Sequence, residues 1–367
     1  MSALRTDLPP DSVEVPGVGL LEVNRAWPRE PGHVLLELRG ADVVLAAQWW
    51  SGSQQLAATA SRYARTPARV HDGVLVHLGG ADRKLVRLQA DLDAPGAQLV
   101  GHRAERRAVV RRADGSYVKH VRPHRVEDVA LGLASADRLV GSVAVVPTVE
   151  PVDPAAGTAV LAAVEGRTLL ELGEDAISSP TELAAAWRAA GRVTAALHAA
   201  HPSGLSQWTT EDEVRSAQRL VHPATAAGLL PSCGWRPLYD AVLALPRMRG
   251  VPVHRDLHDK QLLWDGKRLG LIDCDTLAAG DPAADVANVL AHLQLRQAQG
   301  VLSASRASSA ASDFLAALDP TPQVLARVGA YRSLTTLRLA ALYAWRPRWR
   351  HLVRPLLQSA LDGRPPR

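Results

Sequence analysis

The chain is short of cysteine and lysine, and both shortages narrow its chemistry. Only Cys233 and Cys274 occur in 367 residues, too few for a disulfide framework or a metal site built on cysteine, so a reducing compartment is expected. No uncharged apolar run reaches the ~18 residues that suggest a bilayer-spanning helix, and Met1 to Pro10 has no apolar stretch that could form the core of a secretion signal. A cytoplasmic protein with no membrane partner is the expectation. Lysine occurs only at Lys84, Lys119, Lys260 and Lys267, although Lys and Arg together number 42. The cationic charge is therefore nearly all arginine, and a lysine inside a strand stands out. Basic residues outnumber the 37 acidic ones by five, an excess that a solvated surface explains without a nucleic-acid partner.

What is present is the mix of a globular protein, 47% hydrophobic and 22% charged, in a chain long enough for two or three domains. Residues 17 to 100 alternate apolar and polar over short stretches, as in His33 to Arg39 and Val74 to Leu78, and read as a small β-rich unit. Gln98 to Gly101 follows as a strand, and Arg107 to Arg112 and Ser116 to Val121 form a hairpin across Ala113-Asp114-Gly115. Helical spacing then sets in at Val126, Val129, Leu133 and Leu139, and a last strand, Thr158 to Val164, ends at Glu165-Gly166. Beyond it the chain reads as helical. Ser179-Pro180-Thr181-Glu182 carries a capping-box pattern, Asp281-Pro282 opens a second helix, and segments 303 to 318, 321 to 345 and 348 to 361 complete the half.

The chemistry concentrates in Val253-His-Arg-Asp-Leu-His-Asp-Lys-Gln-Leu-Leu263, followed after the Asp265-Gly266 turn by Leu269-Gly-Leu-Ile-Asp-Cys-Asp275. Two short apolar strands carry acidic residues at one end. Phosphoryl transfer needs a carboxylate at the acceptor hydroxyl and oxygen ligands for magnesium on the phosphates, and this hairpin can supply both.

His254-Arg255-Asp256 with Gln261 five residues after the Asp, then Ile272-Asp273, resembles the catalytic and metal loops of the aminoglycoside/choline phosphotransferase family. The likeness spans residues 98 to 300. It implies an α+β, protein-kinase-like, two-lobed fold, here with an additional N-terminal β-rich cap region over 1–95, a kinase N-lobe over 96–165 and a mostly helical C-lobe over 166–367. It implies ATP and Mg2+ as cofactors, Asp256 as the catalytic carboxylate, and Gln261 and Asp273 as metal ligands. Lys119, in Ser116-Tyr-Val-Lys-His-Val121, would meet the α- and β-phosphates with Glu127, in preference to Asp128, as its ion-pair partner, and Val164 would sit at the hinge that receives adenine. Gln261 where the family usually has Asn, with His258 two residues after Asp256, is similar to the maltokinase-like branch, which also carries an N-terminal cap.

Several neighbours admit a plainer role. His254 reads as a structural histidine, His258 as a loop residue or part of the acceptor site, Asp275 as a second metal ligand or a turn residue, Asp281 as an N-cap, and Asp285 as a brace for the catalytic loop or a first-turn carboxylate. Eleven residues separate Asp273 from Asp285, too few for a peptide-binding platform, so the expected partner is a small-molecule hydroxyl acceptor. A sugar or aminosugar is favoured, with Trp208, Trp235, Trp345 and Trp349 as stacking surfaces or as core. An aminoglycoside is the alternative, with Glu211-Asp212-Glu213 as the one dense acidic run in that half. A catalytically silent nucleotide-binding fold is a further class, and a nucleic-acid binder, suggested by Trp345-Arg-Pro-Arg-Trp-Arg350, is the least supported. No glycine-rich fingerprint covers the phosphates: Gly101-His-Arg-Ala-Glu-Arg106 has one glycine, so arginines or backbone N–H groups must do that work.

Overall fold

The structure, a computed structural model, describes residues 8–363. The first seven residues of the stretch weighed as a leader lie outside the described residues. Alternation and turn chemistry in the N-terminal part produce a six-stranded sheet of β1 (Ser12–Val15), β2 (Gly19–Glu30), β3 (His33–Arg39), β4 (Val44–Trp50), β5 (Arg69–His71) and β6 (Val74–His77), in the order β1-β2-β3-β4-β6-β5. Helices α1 (Ser53–Arg62) and α2 (Leu88–Leu92) flank it. Sequence periodicity gave no sign of α1, whose residues are small and polar and none of which is buried.

Both faces of this cap sheet are covered. Val34, Leu36, Leu38, Ala47 and Val76 share a core with C-terminal helices, while Leu35 and Ala46 on the other face pack against Ala104 at the tip of the next hairpin. Strands buried on both sides read as nearly continuous apolar runs, which is why β3 is Val-Leu-Leu-Glu-Leu rather than a strict alternation.

The second sheet is antiparallel, built from β7 (Gln98–Arg103), β8 (Arg107–Arg111) and β9 (Tyr117–Val121), with α3 (Val126–Val140) crossing it, then β10 (Ala144–Val145), which pairs elsewhere, β11 (Val149–Asp153) and β12 (Thr158–Leu161); the order is β11-β12-β9-β8-β7. Lys119 lies on β9, opposite Val109 and Ala159. The final strand is shorter than the apolar run suggests, because residues 162–166 leave the sheet as an extended connection between the lobes.

The C-terminal lobe adds β13 (Arg167–Thr168), α4 (Leu169–Glu174), α5 (Pro180–Ala199), α6 (Thr210–Ala226) and α7 (Arg236–Leu243). The hairpins follow, with β14 (Val251–Val253), β15 (Leu262–Trp264), β16 (Leu269–Leu271) and β17 (Ala278–Gly280), then α8 (Pro282–Ala298), α9 (Ala304–Leu318), α10 (Pro322–Tyr343) and α11 (Val353–Asp362). The caps explain the helix starts: Ser179 Oγ accepts the Glu182 N–H at 3.1 Å and Asp281 Oδ1 the Ala283 N–H at 3.0 Å, each with proline next in the chain. The segment 348–361 is not one helix. Pro347–Leu352 forms 3-10 turns and α11 starts at Val353, since Pro355 has no N–H to give and fits only a first turn.

Candidate active site

Strand β14 delivers residues 254–261 into a loop that is fixed from several sides. Asp285, buried on the first turn of α8, takes the N–H groups of His254 and Arg255, each at 2.8 Å, and lies 3.2 Å from His198 Nε2. Burial pushes its pKa upward, but the hydrogen bond and charge of His198 outweigh this and hold it below the usual carboxylate range. Arg255 has φ +70°, a left-handed conformation that its surroundings must impose: its guanidinium lies 3.2 Å over the Trp208 ring and donates to the Thr276 carbonyl at 2.9 Å. His254 Nε2 donates to the Ile272 carbonyl at 3.0 Å, tying the 254–261 loop to the strand before Asp273.

Within that frame Asp256 is half exposed, at 48% for its side chain, and open to an incoming hydroxyl. His258 stands between two carboxylates, with Nε2 4.0 Å from Asp256 and Nδ1 3.2 Å from Asp259, and its ring stacks on His292 at 4.2 Å. Asp259 is buried and held by Arg296 through two contacts of 2.7 and 3.1 Å. Burial raises its pKa, yet the His258 hydrogen bond and the Arg296 charge hold it well below the usual value.

Asp273 sits in a left-handed conformation, φ +58°, at the head of the 3-10 turn Cys274–Thr276. Lys119 reaches it from β9 across the cleft, donating to Asp273 Oδ1 at 2.9 Å and to Asp275. Burial opposes the charge on both partners, but the pairing prevails: the ammonium titrates above its ordinary value, and Lys119, then Arg107, hold Asp273 at about 2. Asp275 Oδ1 is buried with no hydrogen-bond partner among the described residues. Asp275, Asp273 and Gln261 line the same cleft and carry oxygen atoms of the kind a hard divalent cation takes.

The Lys119 partner inferred at Glu127 is corrected by this geometry. Glu127, Asp128 and Asp137, the acidic residues of α3, are all exposed. The helix instead turns Gly132 toward the Asp273 turn, where a Cβ would stand 2.7 Å from the Cys274 carbonyl oxygen. A backbone that close leaves no room for a glutamate, and Asp275 takes the role.

Lys119, Gln261, Asp273, Asp275 and Val164 line one cleft of about 500 Å³. Val164, Pro147, Leu161 and Ile272 are apolar members of its lining. Arg103 and Arg107, paired across the turn between β7 and β8, also line it. Asp256 lies outside that lining, beyond Gln261 and His258.

The sequence pattern of the phosphotransferase enzyme family, APH, matches residues 84–318, more than half of the chain. The chain belongs to this family. It is a small-molecule kinase with the family's two-lobed, kinase-like α+β fold. Comparison with curated proteins finds no match. Among solved structures, aminoglycoside phosphotransferase APH(3'')-Id from Streptomyces rimosus ATCC10970 is similar at 23% identity and TM-score 0.50, over 71% of this chain and 96% of that one. Amicoumacin kinase hAmiN, solved with AMP-PNP, Ca2+ and Ami, is similar at 16% identity and TM-score 0.54, over 78% and 95%. Aminoglycoside 2'-phosphotransferase-IIIa, in its GDP complex, matches at 16% identity and TM-score 0.52, over 76% and 97%. At these identities the likeness is one of fold.

The family pattern begins at residue 84, yet Arg25, Trp27 and Glu37 of the cap also line the cleft. Sequence reasoning missed all three. The available signal was Glu37 itself, a carboxylate inside the apolar run of β3. The proposed acceptor residues also resolve: Trp235 and Trp345 are buried in the helical core, and Trp208 has one face under Arg255. In the Trp345 to Arg350 segment Arg346 stacks on Tyr343 and Arg348 on Trp349, with Arg348 exposed. Among the described residues no helix is long and apolar enough to cross a membrane.

Proposed function

We propose that this kinase transfers the γ-phosphoryl group of ATP, with Mg2+, to a hydroxyl of a sugar or aminosugar, in the manner of the maltokinase-like branch that Gln261 and the N-terminal cap resemble. The observation that carries the reading is the meeting of Lys119 with Asp273 and Asp275 beside Gln261 and the Asp256 loop. Asp256 accepts the hydroxyl proton as the acceptor oxygen bonds to phosphorus and the bond to the diphosphate leaving group breaks. Gln261, Asp273 and Asp275 are the residues that would hold the cation, whose chemistry is to neutralise charge developing on the phosphoryl oxygens. Lys119, Arg103 and Arg107 offer the cationic wall for the phosphates, and the Val164 end offers the apolar slot for a base.

A polycationic aminoglycoside is the weaker choice of acceptor, because the one dense acidic run is already engaged. Asp212 caps α6 through the Thr209 N–H at 3.0 Å, and Glu213 is buried between Trp208 Nε1 at 2.7 Å and Arg338 at 3.1 Å. The small span between Asp273 and Asp285, filled by a 3-10 turn and β17, supports a small acceptor.

The test is phosphate transfer from labelled ATP with Mg2+ across sugars, aminosugars, aminoglycosides and choline-like alcohols, beside Asp256→Ala. A product with one acceptor class is expected, falling on the order of 10³-fold or more in the variant while nucleotide still binds. Nucleotide binding without transfer to any acceptor would point to a silent fold.

A further inference from the structure

The cap sheet reaches into the nucleotide cleft, and one of its side chains arrives with donors to spare. Arg25 on β2 is the cross-strand partner of Glu37 on β3, and its Nε stands 3.6 Å from Glu37 Oε1. Glu37 is held in turn by Asn24, which donates to the same oxygen at 2.7 Å, and its side chain is only 2% exposed. The base of Arg25 is thus anchored. Its side chain remains 38% exposed, and no hydrogen bond among the described residues engages its Nη atoms.

Arg25 lines the same cleft as Lys119, Gln261 and Asp273. Its charge is felt on the catalytic loop: burial, then Arg296, then Arg25 lower the pKa of Lys260. Arg25 lines the cleft together with Arg103 and Arg107 of the β7–β8 hairpin. The turn carries no glycine-rich cover. Arg103, which lies over the Trp27 ring at 5.0 Å, has a buried Nε with no partner among the described residues. Arg25, anchored on a buried carboxylate, and Arg103 and Arg107 line one cleft, and the donors that Arg25 and Arg103 keep free suit a dense anion.

Resting on the kinase reading above, we propose that Arg25 binds the terminal phosphate of a nucleoside triphosphate and stabilises the charge that develops on the transferring phosphoryl group. The cap sheet thereby supplies, from within the same chain, a cation that the N-lobe turn does not. Because the sheet packs on the C-lobe helices through one face and on Ala104 through the other, the guanidinium is positioned by both lobes at once.

Calorimetric binding of ADP and of the non-hydrolysable analogue AMP-PNP, each with Mg2+, tests this in the full chain, in Arg25→Ala and in Arg25→Lys. The expected result for Arg25→Ala is AMP-PNP affinity reduced on the order of 10- to 100-fold, with ADP affinity changed less than about twofold, and Arg25→Lys in between. An equal loss for both nucleotides, or no loss for either, overturns the proposal and leaves the kinase reading standing. Should Arg25→Ala fail to fold, Arg25→Lys gives the same ratio with the charge kept and the fork lost. No nucleotide binding by the unsubstituted chain would overturn both readings.

Discussion

The catalytic loop and the β7–β8 turn face each other across one cleft and are held in opposite ways. In the loop most polar groups are engaged, with Asp256 left open and Arg255 Nε buried without a partner among the described residues. Asp285 takes two N–H groups, Thr276 Oγ1 donates to the His254 carbonyl at 2.8 Å, Asn288 Nδ2 donates to the Leu257 carbonyl at 2.8 Å, and Arg296 closes on Asp259. The turn is pinned from outside, by Asp82, which takes the Glu105 N–H at 2.6 Å and lies 2.9 Å from His102 Nε2, and by Tyr63, which donates to Glu105 at 2.9 Å. Meanwhile Arg103 and Arg106 keep buried Nε atoms without partners among the described residues. A group that must hold a proton acceptor in one geometry is over-determined; a surface that must receive an anion keeps donors in reserve.

The contrast is broken most severely on the rigid side. Asp259→Ala leaves Arg296 buried without its counter-charge and is expected to cost about 3–5 kcal/mol, read as a lowered urea midpoint with unchanged slope. Acid should act through a different seam. Burial, then the His102 charge, lowers His77 to about 4, and burial lowers His120 to about 4 as well. A histidine whose folded pKa is depressed contributes stability that is complete above its unfolded value near 6.5 and is lost as pH falls toward 4. The expected loss is about 3 kcal/mol for fully buried His77, and His77→Gln should flatten that stretch of the stability-against-pH curve between pH 6.5 and 4. Carboxylates follow lower down: the Asp273 share is complete above about pH 4 and disappears toward pH 2.

On the adaptable side, Asp82→Ala releases the turn while leaving the catalytic loop untouched. It is expected to raise the KM for nucleotide about tenfold, through loss of one or two charge-assisted hydrogen bonds, with kcat nearly unchanged; an equal fall in kcat would show the two regions to be coupled. The smallest effect belongs to Glu127→Gln, which should change nucleotide affinity less than about twofold because an exposed carboxylate contributes little. Asp275→Asn, measured beside it, should weaken Mg-nucleotide binding clearly.

Legibility follows how local each interaction is. Asp256, Gln261 and Asp273 lie in one short stretch whose strands, turn and acidic ends are visible in the residues themselves, and helix starts at Ser179 and Asp281 depend on neighbours within three positions. Lys119 was visible because lysine is scarce and this one sits in a strand. Its partner was misjudged, since Glu127 is near in sequence while Asp275 is brought to it only by the closing of two lobes. Helix α6 was not singled out, because its acidic first turn and buried stripe make sense only against α10 and the cap.

The sequence by itself determined the acidic hairpin of residues 253–275, the order of strands before helices and the short span from Asp273 to Asp285, because these depend on local periodicity, capping and spacing, while the two-lobed arrangement followed from the family resemblance. The tertiary structure alone decided which carboxylate meets Lys119, that Asp259 is locked by Arg296, and that Arg25 and Glu37 line the cleft beside Lys119. Those outcomes depend on side chains far apart in the chain and on burial that no single segment encodes, and the energy of a charge is set by what surrounds it.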